Sequence, residues 1–141
     1  MLGTYSFQQK KFEVMLKTIL IVGTGGFLGS VARYLTQIAV ERWLHSAFPW
    51  GTFVANMAGC FIIGLVFAFS ERGNLLTPEW RIFFTVGFCG GFTTFSSFAY
   101  NNLTMLSENN LFQLFGNVGL SVVLGIFAVY LGIVAVRLVY A

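Results

Sequence analysis

Residues 87–102 read GFCGGFTTFSSFAYNN and combine glycines, hydroxyl side chains and phenylalanines within a chain that is otherwise strongly apolar. The adjacent glycines Gly90 and Gly91 each cost about 1 kcal/mol in a helix interior. Thr93 and Thr94 follow closely, and their hydroxyl groups can take over hydrogen bonds that a helix break frees. The pattern favours a broken helix. An intact helix with a close crossing at the two glycines is the alternative.

The composition of the whole chain indicates a membrane protein. Of its 141 residues, 57% are hydrophobic and 9% are charged, whereas soluble domains carry about 25% charged residues. Eight basic and five acidic side chains are too few to cover a water-exposed surface, so most of the outer surface must face lipid. The net charge is only +3, and the sequence contains no polybasic block. Both observations argue against a nucleic-acid partner.

Four apolar runs are long enough to cross a hydrocarbon core of ~30 Å as helices. They cover approximately residues 17–40, 52–70, 80–106 and 111–136. Gly73 and Asn74 mark the turn between the second and third runs. Residues 1–14 are polar and lack a clear period, so we expect a frayed N-terminal extension ahead of one four-helix transmembrane unit, residues 15–141.

The side chains that lie deep in these runs are polar but not acidic. At a rise of about 1.5 Å per residue, Gly90 lies about 15 Å into the third run, near the bilayer midplane. Asn56 lies early in the second run, and Ser121 lies near the middle of the fourth, one turn after Asn117. No aspartate, glutamate or lysine lies deep in any run. Hydrogen-bond donors, where no anionic side chains lie nearby, favour a pathway for an anion.

Phenylalanines recur at every third position of the opening stretch, with hydroxyl side chains between them. They are Phe92, Phe95 and Phe98, separated by Thr93, Thr94, Ser96 and Ser97. A phenyl ring has a negative face and a positive edge, so its edge can meet an anion while hydroxyl groups replace part of the ion's water. A lipid-facing packing role is the alternative for the rings. Arg33, late in the first run, is either a functional intramembrane charge or a snorkelling side chain.

Each run also carries small residues four positions apart, which allow helices to approach closely in lipid. The pairs are Gly25 and Gly29, Ala55 and Gly59, Gly87 and Gly91, and Ser121 and Gly125. We expect these pairs to lie at helix crossings.

The segments GTFVANMAG (51–59) and GFCGGFTTFSSF (87–98) resemble the Fluc/CrcB family of fluoride channels, and the similarity extends from Met15 to the end of the chain. The resemblance implies an all-α membrane fold with four transmembrane helices per chain, the third broken at the midplane. It implies an antiparallel, dual-topology homodimer in the bacterial inner membrane. It further implies a passive, fluoride-selective channel, not an enzyme, that exports fluoride and holds a structural sodium ion (Na+) at the dimer centre.

The resemblance also implies roles for individual residues. The fluoride-pore residues would be Asn56, Thr94, Phe95, Ser97, Phe98, Asn117 and Ser121. The backbone carbonyls of Gly90 and Thr93 would hold the sodium ion, and Arg33 matches the vestibule arginine. The chain departs from the family pattern at Asn101, where a glutamate is usual, and at Asn117, where a tyrosine or histidine is frequent.

Two other function classes stay open. A proton-coupled small multidrug exporter can also be a four-helix, dual-topology dimer, but it needs a deep carboxylate that this sequence lacks. A non-transporting membrane assembly subunit would explain the glycines but not the interleaved phenylalanines and hydroxyl groups. A membrane enzyme would have to work with one histidine, His45, and no buried acid.

Overall fold

The computed structural model describes residues 2–71 and 76–140, with side chains from residue 8 onward. The described segments form helices joined by short turns. These are α1 (Leu2–Trp43), α2 (Trp50–Glu71), α3 (Pro78–Ile82), a π-helical segment (Phe83–Phe88), α4 (Cys89–Phe92), α5 (Phe95–Ser107) and α6 (Leu111–Val139). The turn predicted at Gly73 and Asn74 lies outside the described residues.

Four segments are long and apolar enough to cross a membrane, which confirms the prediction of an all-helical, multi-pass membrane protein. They are Gln8–Trp43, Trp50–Glu71, Pro78–Ser107 and Leu111–Val139. The third has the lowest mean hydropathy, 1.4 against 2.5 for the fourth, because it carries the glycines, hydroxyl groups and asparagines. Between 11% and 39% of the most apolar window of each segment is buried, so most of the apolar surface is left for contacts outside the chain.

The N-terminal residues differ from the frayed extension expected from sequence, because α1 already begins at Leu2. No glycine or proline occurs between Thr4 and Val22, and adding residues to an existing helix costs far less than nucleating one. Residues 8–17 are exposed along this helix. The segment is therefore a helical continuation of the first span.

Hydrogen-bonding side chains fix where the later helices begin. The Thr77 hydroxyl accepts from the backbone N–H of Trp80 at the start of α3, and the Asn110 side chain accepts from Gln113 at the start of α6. Between α5 and α6, Asn109 has a φ of 56°, a left-handed conformation that asparagine tolerates better than most residues. Thr77 thus fixes the start of the third span, and Asn109 and Asn110 let the chain reverse direction between the third and fourth spans within a short turn.

Two exposed ion pairs lie where the first and third spans begin and the second and fourth end. Lys17 on α1 lies 3.0 Å from Glu79 on α3, and Arg137 on α6 lies 3.9 Å from Glu71 on α2. All four side chains are about half exposed or more, so each pair contributes little to stability. Their placement shows that the first and third spans run in the same direction, as do the second and fourth.

Glycines hold α1 against the third span at backbone contact distance. A Cβ atom on Gly29 would collide with the carbonyl oxygen of Phe88 and lie 2.9 Å from the backbone nitrogen of Phe92. A Cβ atom on Gly91 would collide with the carbonyl oxygen of Gly26. Gly91 therefore serves the close crossing that was the alternative to a helix break, and both glycines of the Gly90–Gly91 pair lie within α4.

A second glycine crossing joins α2 to α6. Cβ atoms on Gly64 and Gly132 would collide with the carbonyl oxygens of Val129 and Phe61, respectively. Gly125, which the four-residue spacing singled out, leaves room for ordinary contacts of 3.5 Å or more. The spacing rule therefore identified the crossing with α1 but missed the tightest contact between α2 and α6.

Alanine substitution in α1 tests the first crossing. Gly29→Ala should lower the free energy of unfolding by about 1–3 kcal/mol, because a rigid backbone carbonyl occupies the space of the new methyl group. Gly23→Ala is the matched control, since nothing lies within 4 Å of its Cβ position; it should change stability by less than about 1 kcal/mol. Thermal unfolding of the two purified variants in detergent gives the comparison. Equal midpoints would contradict a backbone contact at Gly29.

Candidate functional site

The third span changes its backbone conformation at two threonines. Thr93 has φ −87° and ψ 156°, and Thr94 has φ −150° and ψ 113°, so both residues are extended. β-Branched residues adopt such angles readily. The Thr94 hydroxyl accepts from the backbone N–H of Ser97 and caps the first turn of α5. The interruption therefore follows the glycine pair and is formed by the threonines.

Asn56 on α2 satisfies both backbone groups of Thr94. The Thr94 N–H donates to Oδ1 of Asn56 at 2.8 Å, and Nδ2 of Asn56 donates to the Thr94 carbonyl oxygen at 3.4 Å. An extended residue inside a bundle would otherwise leave both groups unpaired, which is costly away from water. The carboxamide thus replaces the hydrogen bonds that a continuous helix would supply.

Some backbone carbonyl oxygens near the interruption accept hydrogen bonds, and others accept none. The backbone N–H and the hydroxyl of Thr93 both donate to the Cys89 carbonyl, at 2.9 and 2.8 Å. Nε of Arg33 donates to the Gly91 carbonyl at 3.1 Å. Among the described residues, no hydrogen bond reaches the carbonyl oxygens of Gly90 or Thr93. These two oxygens remain available for a ligand.

A cavity of about 400 Å³ lies beside the interruption, where α2, α5 and α6 come together. Its lining comprises Asn56, Met57, Gly59, Cys60, Ile63, Thr93, Thr94, Phe95, Phe98, Ser121, Val122 and Val129. The rings of Phe95 and Phe98 are 5.8 Å apart at an angle of 40°, and 79% of Phe95 is exposed. The lining is uncharged and offers hydroxyl, amide and aromatic groups.

A more polar cavity of about 620 Å³ lies where α1, the α1–α2 turn and α5 meet. Thr52, which is 7% exposed, accepts hydrogen bonds there from Nε2 of Gln37 at 3.2 Å and from Nδ2 of Asn101 at 3.3 Å. Glu41 is the acidic residue of the lining. Sequence reasoning missed Gln37 and Thr52, although a polar side chain within an apolar run was a usable signal.

A chain of hydrogen bonds joins α5 to α6 behind the first cavity. Ser121 Oγ donates to Oδ1 of Asn117 at 3.5 Å, and Nδ2 of Asn117 donates to Oδ1 of Asn102 at 3.0 Å. Nδ2 of Asn102 then donates to the Phe98 carbonyl oxygen at 2.8 Å. Asn117 is only 1% exposed. Sequence reasoning missed Asn102, whose position next to Asn101 in the third span was the available signal.

The structure brings most of the predicted pore residues to one place. The first cavity collects Asn56, Thr94, Phe95, Phe98 and Ser121. Ser97 lines the polar cavity and bonds the Thr94 hydroxyl, whereas Asn117 lies buried behind Ser121. Arg33 lines neither of these two cavities and bonds the end of α4 instead.

The fold and the site define a multi-pass helical membrane protein with an uncharged, largely apolar cavity that carries a few hydrogen-bonding side chains and lies beside an interrupted span. The chain belongs to the CrcB family, since the family model described as CrcB-like protein, Camphor Resistance (CrcB), matches residues 20–133. It is 41% identical over 122 residues to a fluoride-specific ion channel FluC of Flavobacterium psychrophilum, covering 86% of this chain and 98% of the relative.

Other relatives carry the same name. A fluoride-specific ion channel FluC of Bacteroides fragilis is 48% identical over 122 residues, with 83% of this chain and 94% of the relative covered. One of Leptospira interrogans is 43% identical over 117 residues, covering 83% and 92%. The family membership predicted from residues 51–59 and 87–98 is confirmed.

Hydrogen exchange at Thr94 tests the role of Asn56. Asn56→Ala removes both side-chain partners of the Thr94 backbone, so its amide should exchange roughly 10- to 100-fold faster, as expected when a buried donor loses its acceptor. Asn56→Asp keeps an acceptor oxygen at this position and should preserve most of the protection. The measurement is amide exchange by NMR on the labelled protein. Equal protection in the wild-type and Asn56→Ala proteins would contradict this role for the carboxamide.

Proposed function

We propose that the protein is a passive, fluoride-selective ion channel that lets fluoride leave the cell and so relieves its toxicity. The observation that carries this proposal is the uncharged cavity in which Phe95, Phe98 and Asn56 meet the hydroxyl groups of Thr94 and Ser121. The relatives named fluoride-specific ion channels support the identity of the ion. Among the described residues, no carboxylate lines this cavity, whereas a proton-coupled cation exporter would need one.

The chemistry of the lining favours a small, strongly hydrogen-bonding anion. The ring edges of Phe95 and Phe98 carry partial positive charge and can face an anion that has lost part of its water. Neutral donors bind an ion weakly enough to release it again, which conduction requires. Chloride is larger and a weaker hydrogen-bond acceptor, so the same groups compensate less of its dehydration.

We propose that two chains associate in antiparallel orientation in the bacterial inner membrane. An interrupted span with free carbonyl oxygens is tolerated at membrane depth only where protein or a water-filled cavity covers it. The free carbonyls of Gly90 and Thr93, and the largely exposed ring of Phe95, therefore need a covering surface that a single chain does not supply. A site at the midplane is the one place that two inverted copies share equally.

We further propose that the carbonyl oxygens of Gly90 and Thr93, with the same pair from the second copy, hold a structural sodium ion. Unwound backbone carbonyls in broken membrane helices commonly coordinate this ion. Within residues 2–71 and 76–140, no group of three or more His, Cys, Asp or Glu side chains could hold a metal ion. The two oxygens without a hydrogen bond fit a hard cation, which would neutralise them and join the copies.

Fluoride efflux from liposomes tests the proposed function. Phe95→Ile and Phe98→Ile should each slow fluoride efflux at least about tenfold, because an aliphatic side chain has no positive edge to offer. Phe112→Ile is the matched control, since Phe112 is 90% exposed and lies outside the two cavities. A fluoride electrode measures the release, with chloride followed in parallel. No fluoride release from a folded wild-type preparation, or equally fast chloride release, would overturn the proposal.

Replacement of sodium tests the proposed cation site. Exchanging sodium for a large organic cation such as N-methylglucamine should lower the thermal midpoint of the purified protein and shift it toward monomers, because uncompensated carbonyl oxygens would then face each other. Light scattering combined with thermal unfolding measures both effects. An unchanged midpoint and mass after exhaustive removal of sodium would contradict a structural role for the ion.

A further inference from the structure

We propose that Asn102 and Asn117 are positioning residues that decide which way the Ser121 hydroxyl points, and thereby make the cavity discriminate between anions by hydrogen-bond strength. The three side chains form a relay that ends on the Phe98 carbonyl. This inference rests on the proposed fluoride function and deepens it.

One backbone atom determines the direction of every bond in the relay. The Phe98 carbonyl oxygen can only accept, so Asn102 must turn its NH₂ group toward it, at 2.8 Å. A reversed carboxamide would place two acceptor oxygens against each other. The Oδ1 atom of Asn102 is therefore the atom offered to Asn117, which must donate through Nδ2 at 3.0 Å.

The same logic carries through to the cavity. With its NH₂ group committed to Asn102, Asn117 presents Oδ1 to Ser121, and Ser121 is the donor in the last bond. The hydroxyl hydrogen is thus directed into the protein and away from the cavity that Ser121 lines with Phe95 and Phe98. In this state Ser121 offers the cavity its oxygen lone pairs, which repel an anion.

The last bond of the relay is the one that can open. Its length of 3.5 Å compares with 3.0 and 2.8 Å for the two bonds deeper in the protein, and long hydrogen bonds are weak. Asn117 is 1% exposed. When Ser121 turns away, water therefore does not readily replace the hydrogen bond that Oδ1 of Asn117 loses. An anion gains the hydroxyl hydrogen only by competing successfully with an amide oxygen.

This competition favours fluoride over weaker acceptors. Fluoride accepts a hydrogen bond more strongly than an amide oxygen does and can turn Ser121 toward itself, whereas chloride accepts too weakly to do so. The relay therefore adds discrimination by acceptor strength to whatever discrimination the size of the path supplies. Asn102 exerts this effect without bonding Ser121 directly.

Selectivity in a double-mutant cycle tests the relay. Asn102→Leu lets Asn117 turn its NH₂ group toward Ser121, which releases the hydroxyl hydrogen to the cavity. The ratio of fluoride to chloride flux in liposomes should then fall roughly 3- to 10-fold, which corresponds to the net free energy of one hydrogen bond. In a Ser121→Ala background the same substitution should leave the ratio unchanged. Asn101→Leu, on the same helix but outside the relay, should affect the ratio equally in both backgrounds.

NMR of wild-type protein labelled at asparagine side chains gives a second test that needs no Asn102 variant. Fluoride should shift the side-chain carbonyl carbon of Asn117, chloride at the same concentration should not, and Ser121→Ala should abolish the shift. The relay is overturned if a protein that conducts fluoride shows no such shift. It is also overturned if Asn102→Leu changes the flux ratio equally with Ser121 and with Ala at this position, which would leave Asn102 a stabilising role only.

The same experiments separate failure of this inference from failure of the proposed function. A wild-type protein that releases no fluoride overturns the channel proposal and the relay's role in selectivity together. A wild-type protein that conducts fluoride, with an unresponsive Asn117, overturns the relay alone.

Discussion

The carboxamide of Asn56 and the backbone of Thr94 form the interaction on which the site depends. A span that leaves the helical conformation inside a membrane must find partners for the groups it frees, and Asn56 supplies both partners for Thr94. The interruption then places Phe95 and Phe98 on a new helix whose first turn Thr94 caps. One side chain on α2 thus stabilises the extended residues and contributes to the cavity beside them.

The position of the interruption depends on α4, the helical turn before it, which α1 holds in place. Gly29 and Gly91 allow α1 to lie against α4 at backbone contact distance, and Arg33 adds a charge-assisted hydrogen bond to the Gly91 carbonyl. The arginine therefore bonds the end of α4, and its vestibule role stays a prediction. A cation next to the free end of a helical turn also complements the negative end of its dipole.

The structure gives a partner to each of the two asparagines, Asn101 and Asn117, at which the sequence was expected to depart from the family pattern. Asn101 donates to Thr52, so a neutral amide joins α5 to α2 where a carboxylate would have placed a negative charge. Asn117 bonds Asn102 and Ser121. Both asparagines keep neutral hydrogen-bonding groups inside the bundle, Asn101 at the polar cavity and Asn117 behind Ser121.

The sequence by itself determined the membrane environment, the number of spans, the family and the main polar and aromatic residues of the cavity, because hydrophobicity and motif spacing are local properties. Only the tertiary structure placed the interruption at Thr93 and Thr94, turned Arg33 toward α4 and revealed the role of Asn102. These features depend on partners distant in the chain: Asn56 and Thr94 are 38 residues apart, and Arg33 and Gly91 are 58 apart. Glycine propensity alone pointed to Gly90 and Gly91, but contacts between helices decided where the backbone changes course.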